Sequence, residues 1–208
     1  MTLRYHGRAM QPSLSDRGTL LVPVPHEALT LPETLVLGAR TLVRKREHHI
    51  TLFGFDVGRV LAPVLSEIRS EVDALVAAAD LRWTSSSRWY LLHRDKPRDL
   101  LTVVMLVDAP GIAPFFEACA RPLAPLVPAR ADETKTPGGA AAFFRPPPPH
   151  ITCFTSDERG LDGIGLRVPE DLELAQRRGQ DGESTGLRAF LLSPALVPAP
   201  PASAATAG

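Results

Sequence analysis

Two pentapeptides in this chain carry the residues of a phosphate chemistry: His49-Ile50-Thr51-Leu52-Phe53 and His150-Ile151-Thr152-Cys153-Phe154 agree at four of five positions and stand 101 residues apart. The whole sequence holds only 6 histidines, so composition alone does not account for the match. In an extended strand, side chains alternate between faces, which puts His49 with Thr51 on one face and Ile50 with Leu52 on the other. The same alternation joins His150 to Thr152. If the two segments meet across one cleft, they present two imidazoles and two hydroxyls to a single ligand. Cleaving a phosphodiester needs one group to take a proton from the nucleophile and another to give one to the leaving oxygen. Histidine is the side chain suited to both roles near neutral pH. Threonine hydroxyls can hold the non-bridging oxygens in line and stabilise the charge that grows on them. This arrangement requires no metal and no cofactor.

HITLF and HITCF resemble the paired His-x-Thr-x signatures of the two-histidine (2H) phosphoesterase superfamily, whose LigT-like members are RNA 2′,3′-cyclic phosphodiesterases. The resemblance extends over residues 34 to about 175. It implies an α+β fold, bilobal and duplicated, with antiparallel sheets lining a central cleft and helices outside. It also implies that His49 and His150 act as acid and base, in either order, while Thr51 and Thr152 bind phosphate oxygens. The expected reaction is metal-independent hydrolysis of a cyclic phosphodiester carried by a small nucleotide or an RNA end. The alternative is a non-catalytic protein that binds a nucleotide or RNA end in the same cleft. A third reading makes the proline-rich segments the working parts of an interaction protein.

The elements that must position these residues follow from the flanking sequence. Residues 1–33 read as an N-terminal extended arm, because three prolines interrupt the apolar stretch from Leu20 to Pro32. Residues 34–193 form the expected domain, with strands over 34–44 (a turn at Gly38-Ala39) and from His49 to Phe55. Apolar residues from Val60 to Ala79 recur at spacings of three and four, which predicts one long helix over 59–79. Arg82 to Arg94 and Leu100 to Val107 predict paired strands, and Ile112 to Ala120 a shorter helix stopped by Pro122. The Pro- and Gly-rich residues 121–149 predict a linker between lobes with a short strand at Ala140 to Phe144. A strand over Ile151 to Thr155, an extended piece after Gly163 and a helix from Pro169 follow. Residues 194–208 read as a disordered Pro/Ala-rich tail.

Composition bounds what such a domain could do. Across 208 residues, 23 basic and 23 acidic side chains balance to zero net charge, which disfavours long polyanions and points to small nucleotides or short RNA ends. Cys119 and Cys153 are the only cysteines, too few for a disulfide framework, and a cytoplasmic monomer is expected. No apolar run approaches the roughly 20 residues of a membrane span, and the first residues lack a signal-peptide pattern.

Each feature also has a plainer reading. A lone His-x-Thr is most simply a buried histidine bonded to its neighbours, and it is the repetition that favours a shared anion site. Arg44, Lys45, Arg46 and Arg145 flank the motifs, where they serve either as attractors of phosphate or as a solvated charge run. Trp83, Trp89 and Tyr90 are either stacking platforms or core. His48 faces away from His49, in a solvent-exposed or structural position. Cys153 points away from His150 and is not expected to act as a nucleophile.

Overall fold

The computed structural model describes residues 12–126, 144–183 and 185–197. Within them, nine strands join one antiparallel network: β1 (Ser13–Leu14), β2 (Leu20–Val24), β3 (Thr34–Leu37), β4 (Arg40–Arg44), β5 (His48–Phe53), β6 (Thr84–Arg94), β7 (Leu100–Asp108), β8 (His150–Thr155) and β9 (Leu187–Leu191). The main path runs β1-β2-β5-β8-β7-β6-β9, and the β3–β4 hairpin attaches through β4 to the C-terminal half of β8. The helices are α1 (Phe55–Leu61), α2 (Leu65–Ala78), α3 (Ile112–Leu123) and α4 (Asp171–Gln180). The fold is therefore α+β, with the two motif strands side by side at the centre of one continuous sheet.

The sheet has two covered regions, one on each face. On one face Ile50, Leu52, Phe53, Ile151, Cys153 and Phe154 pack with Ile68, Val72 and Val76 of α2 and with Phe115, Phe116 and Cys119 of α3. Phe53 anchors this core, with its ring 5.8 Å from Phe116 edge-on and 6.3 Å from Phe144. Burying such a side chain stabilises the fold by roughly 1.5–3 kcal/mol. On the other face Tyr90, Leu92, Val104 and Leu106 are covered by Leu172 and Ala175 of α4 and by Ile164 and Leu166 of the preceding loop.

Several elements differ from the sequence expectation, each for a local reason. Leu20–Val24, read as arm, is a strand paired along β5, with Val22 opposite Ile50, so the sheet begins ahead of Thr34. The long helix starts earlier, at Phe55, and is broken by a 3₁₀ turn at Ala62–Val64, where Pro63 lacks the N–H of an α-helical turn. Gly58 lies inside α1 because a side chain there would collide with the Arg17 carbonyl oxygen 2.6 Å away. Helix α3 runs through Pro122 to Leu123, so the proline removes one hydrogen bond close to the helix end and the helix stops one residue after it. Residues 156–168, with the expected extended piece after Gly163, have no ladder partner and form a strap. Ser193 caps a 3₁₀ turn at Pro194–Leu196, and Val197 packs on the core, so the described chain reaches into the expected tail. Residues 140–143 of the expected short strand and 198–208 of the tail lie outside the described residues.

Candidate functional site

The two motif copies meet about a local twofold relation. Strands β5 and β8 run antiparallel, and Ile50 pairs with Ile151, the middle residues of HIT and HIT. Continued one residue each way, this register sets His49 across from Thr152 and Thr51 across from His150. Residues opposite one another in an antiparallel pair share a face, so the four polar side chains occupy one side of the sheet and the isoleucines the other. Burial separates the faces in part: Ile50 and Ile151 are 1% and 0% exposed in the core, His49, Thr51 and Thr152 are half-buried, and His150 is buried at 5% exposure. The two imidazoles stand on a diagonal of this patch, a separation of about 7–8 Å at the backbone.

A second symmetry concerns the motif's last residue. Against β2, Thr51 pairs with Leu21 and Phe53 with Leu20, which leaves Leu52 as the extra residue of a bulge. Against β7, Thr152 pairs with Val104 and Phe154 with Val103, leaving Cys153 as the extra residue. Strict alternation would aim Phe53 and Phe154 toward the histidines. The bulges turn both rings, each 0% exposed, into the core and keep their bulk off the polar face. The patch is walled by Pro23 and Leu21 opposite the first motif and by Leu106 and Val104 opposite the second.

The histidines differ in setting. The Nδ1–H of His150 donates to the Pro148 carbonyl at 2.8 Å, and its Nε2 faces the Leu166 N–H at 3.5 Å, the outer limit of a hydrogen bond, in a ring only 5% exposed. The proline run ahead of β8 thus supplies the acceptor that sets this tautomer. Burial lowers the His150 pKa below its ordinary value, and the Pro148 contact and Asp171 offset this in part. His49 is also lowered, by burial first, then by the positive fields of Lys45 and His150, with Glu47 opposing. Each ring therefore favours the neutral form near pH 7, and the two are near enough to influence one another.

The basic run ahead of the first motif is not uniformly solvated. Arg46 is exposed, and Arg44 spends its guanidinium on the carbonyls of His26 and Leu31. Lys45 is only 7% exposed and its Nζ donates to the Leu161 carbonyl oxygen in the strap. Sequence reasoning did not separate these three, because burial here depends on the distant 156–168 segment folding over the turn between β4 and β5. Arg145 pairs with Glu170 at the surface. His48 is not solvent-exposed. It is buried at 4% exposure, edge-on to His26 at 4.7 Å between ring centres.

Trp89 and Tyr90 are buried in the two cores and Trp83 is half-buried, so this trio forms no open stacking platform. Burial raises the Cys153 thiol far above the range of a nucleophile. Away from the motifs, His93, Asp95 and Asp99 bring ligand-type atoms within 4.8 Å of one another. Arg188 bonds Asp95 at 2.7 Å and Arg40 bonds Asp99 at 3.2 Å, so each carboxylate of the cluster already pairs with a guanidinium, although Asp95 Oδ2 has no hydrogen-bond partner among the described residues. A shallow depression bordered by Arg98, Asp99, Ser156 and Asp157 includes none of the four motif residues. No helix among the described residues is long and apolar enough to cross a membrane.

No family model, no curated protein and no solved structure matches this chain.

Proposed function

We propose that the protein is a metal-independent phosphoesterase of the two-histidine type, hydrolysing a cyclic phosphodiester on a nucleotide or RNA end. The observation that carries this reading is the Ile50–Ile151 pairing, which gathers two imidazoles and two threonine side chains on one face about a local twofold relation. A bilobal duplicated origin, with β5 and β8 as equivalent strands, is part of the proposal and is supported by the matched bulges at Leu52 and Cys153.

In the proposed mechanism the phosphate lies over the β5–β8 pair, with Thr51 and Thr152 hydroxyls donating to its non-bridging oxygens. His150 takes the proton from the attacking water. What supports that role is its neutral bias and the tautomer set by Pro148, which together keep on Nε2 a lone pair met only by the long Leu166 N–H contact, which the water displaces. His49 protonates the leaving ribose oxygen, its positive form favoured once the anionic phosphate opposes the burial and the field of Lys45 that lower its pKa. Phe55, 64% exposed directly after β5 and Gly54, offers an aromatic surface for the base of a nucleotide.

The test is turnover of 2′,3′-cyclic nucleotides and cyclic-phosphate oligonucleotides in EDTA by the parent, His49→Ala and His150→Ala. The proposal expects turnover by the parent and a loss of roughly 10²–10⁴-fold in each variant with the fold retained. Tight binding with no turnover by the parent would favour the binding-protein alternative, and activity abolished by the chelator would contradict a metal-independent mechanism.

A further inference from the structure

We propose that Lys45 is the fixed cation of this site, an ammonium that takes a non-bridging phosphate oxygen beside Thr152. This inference rests on the phosphoesterase reading and names a ligand that the repeated motif does not contain.

Three contacts place the residue. Its backbone N–H donates to the Cys153 carbonyl at 2.9 Å, fastening Lys45 to β8 one residue from Thr152. Its Nζ donates to Leu161 in the strap. A side-chain carbon built on Gly163 would lie 3.2 Å from the Thr152 methyl Cγ2 and 3.9 Å from Lys45 Nζ, so the ammonium and the Thr152 side chain are neighbours about Gly163, whose missing side chain lets the strap come this close to both.

Among the described residues no carboxylate bonds the ammonium directly. An ammonium has three donors, and one carbonyl satisfies one of them. Burying a cation with donors unmatched is costly, so the remaining N–H groups call for an acceptor. The nearby carboxylates are engaged elsewhere: Asp157 Oδ2 accepts from the backbone of Leu161 and Asp162, and Asp162 pairs with Arg98. Asp162, Asp157 and Glu47 act on Lys45 only through space, partly opposing the lowering of its pKa by burial. The groups that face it are thus Glu47 from the β4–β5 turn, His49 from β5, and Asp157 and Asp162 from the segment after β8. A phosphate oxygen would complete the coordination of the ammonium and lie within reach of Thr152.

The same lysine anchors the strap, so the deciding variant is Lys45→Gln, whose amide can still donate to Leu161 while the charge is gone. Binding of inorganic phosphate to the full chain, followed by titration and by the rise in melting temperature, is expected to weaken about 10- to 100-fold in Lys45→Gln. Lys45→Arg is expected to retain most of it. In the same variant the His49 ring resonances should titrate at higher pH than in the parent, a change that loss of an anchor alone would not produce. With a cyclic nucleotide, KM should rise more than kcat falls. A parent that turns over substrate alongside a Lys45→Gln protein with unchanged phosphate affinity would overturn the role of Lys45 alone. A parent that neither binds phosphate nor turns over any cyclic phosphodiester would overturn the phosphoesterase reading and this inference with it.

Discussion

Leu52 and Cys153 occupy equivalent places in two strands: each follows a His-Ile-Thr triplet, and each is the extra residue of a bulge that turns the next phenylalanine into the core. One device used twice, 101 residues apart, explains why the fifth motif residue is Phe in both copies although it is two residues beyond Thr. A one-residue change of phase is what a bulge supplies, and it leaves the histidine face free of aromatic bulk.

If the threonine hydroxyls hold phosphate, Thr51→Val and Thr152→Val should each lower kcat by roughly 10- to 10³-fold while circular dichroism stays unchanged, because the side-chain shape is kept and only the donor is removed. Valine variants with parental kcat would remove the threonines from the mechanism.

The pH dependence of kcat/KM should be bell-shaped. Burial lowers the His150 pKa, so the general base of the proposed mechanism stays deprotonated to lower pH than a free imidazole. The rising limb of the profile should therefore fall below pH 6.5, the ordinary histidine value. A rising limb above that value would contradict the assignment of His150 as base.

His48 sets a separate, structural pH dependence. Neither ring nitrogen meets a hydrogen-bond partner in good geometry among the described residues, although the Cys153 carbonyl lies near enough to ease protonation slightly. Burial, then His26 and Arg44, depress its pKa from 6.5 to about 4. The unfolded chain then binds a proton that the folded chain refuses, so stability is full above pH 6.5 and falls as the pH drops toward about 4. The loss amounts to about 3 kcal/mol at the low end. Urea unfolding of the parent between pH 7 and pH 4.5 should show this decline, and His48→Phe should make it shallower, leaving the share that His49 and His150 contribute. Equal slopes in the two proteins would show that His48 does not govern it.

Gly163 offers a substitution that targets the site without the core. It is exposed, yet a side chain there would meet Thr152 Cγ2 at 3.2 Å and approach Lys45 Nζ. Gly163→Val should weaken phosphate binding at least tenfold with a melting temperature within a few degrees of the parent. By contrast, Gly58→Ala forces a carbon against the Arg17 backbone at 2.6 Å and should destabilise the fold without touching the motif residues. Parental phosphate affinity in Gly163→Val would show that the strap does not border the ligand.

The parts legible in the sequence were those written in local periodicity or in repetition. Alternation placed Ile50 and Ile151 in the core and Cys153 away from His150, as the structure has them. Three- and four-residue spacing located α2, though Pro63 divides the segment into two helices. What was not legible depends on partners far along the chain. Strand β2 carries Pro23, which argues against a strand until its pairing with His49 beside the short β1 is known. Strand β9 is too short to announce itself and exists by pairing with β6. Lys45 looked like its neighbours Arg44 and Arg46, and only the strap from 156 to 168 distinguishes it.

The most direct measurement is a crystal structure of the full chain soaked with inorganic phosphate or a 3′-nucleotide. One phosphate is expected over the β5–β8 pair, within hydrogen-bonding distance of both His49 and His150 and touched by Thr51 and Thr152. Phosphate bound elsewhere, or the two imidazoles engaged with separate groups at a site that admits no common anion, would contradict it.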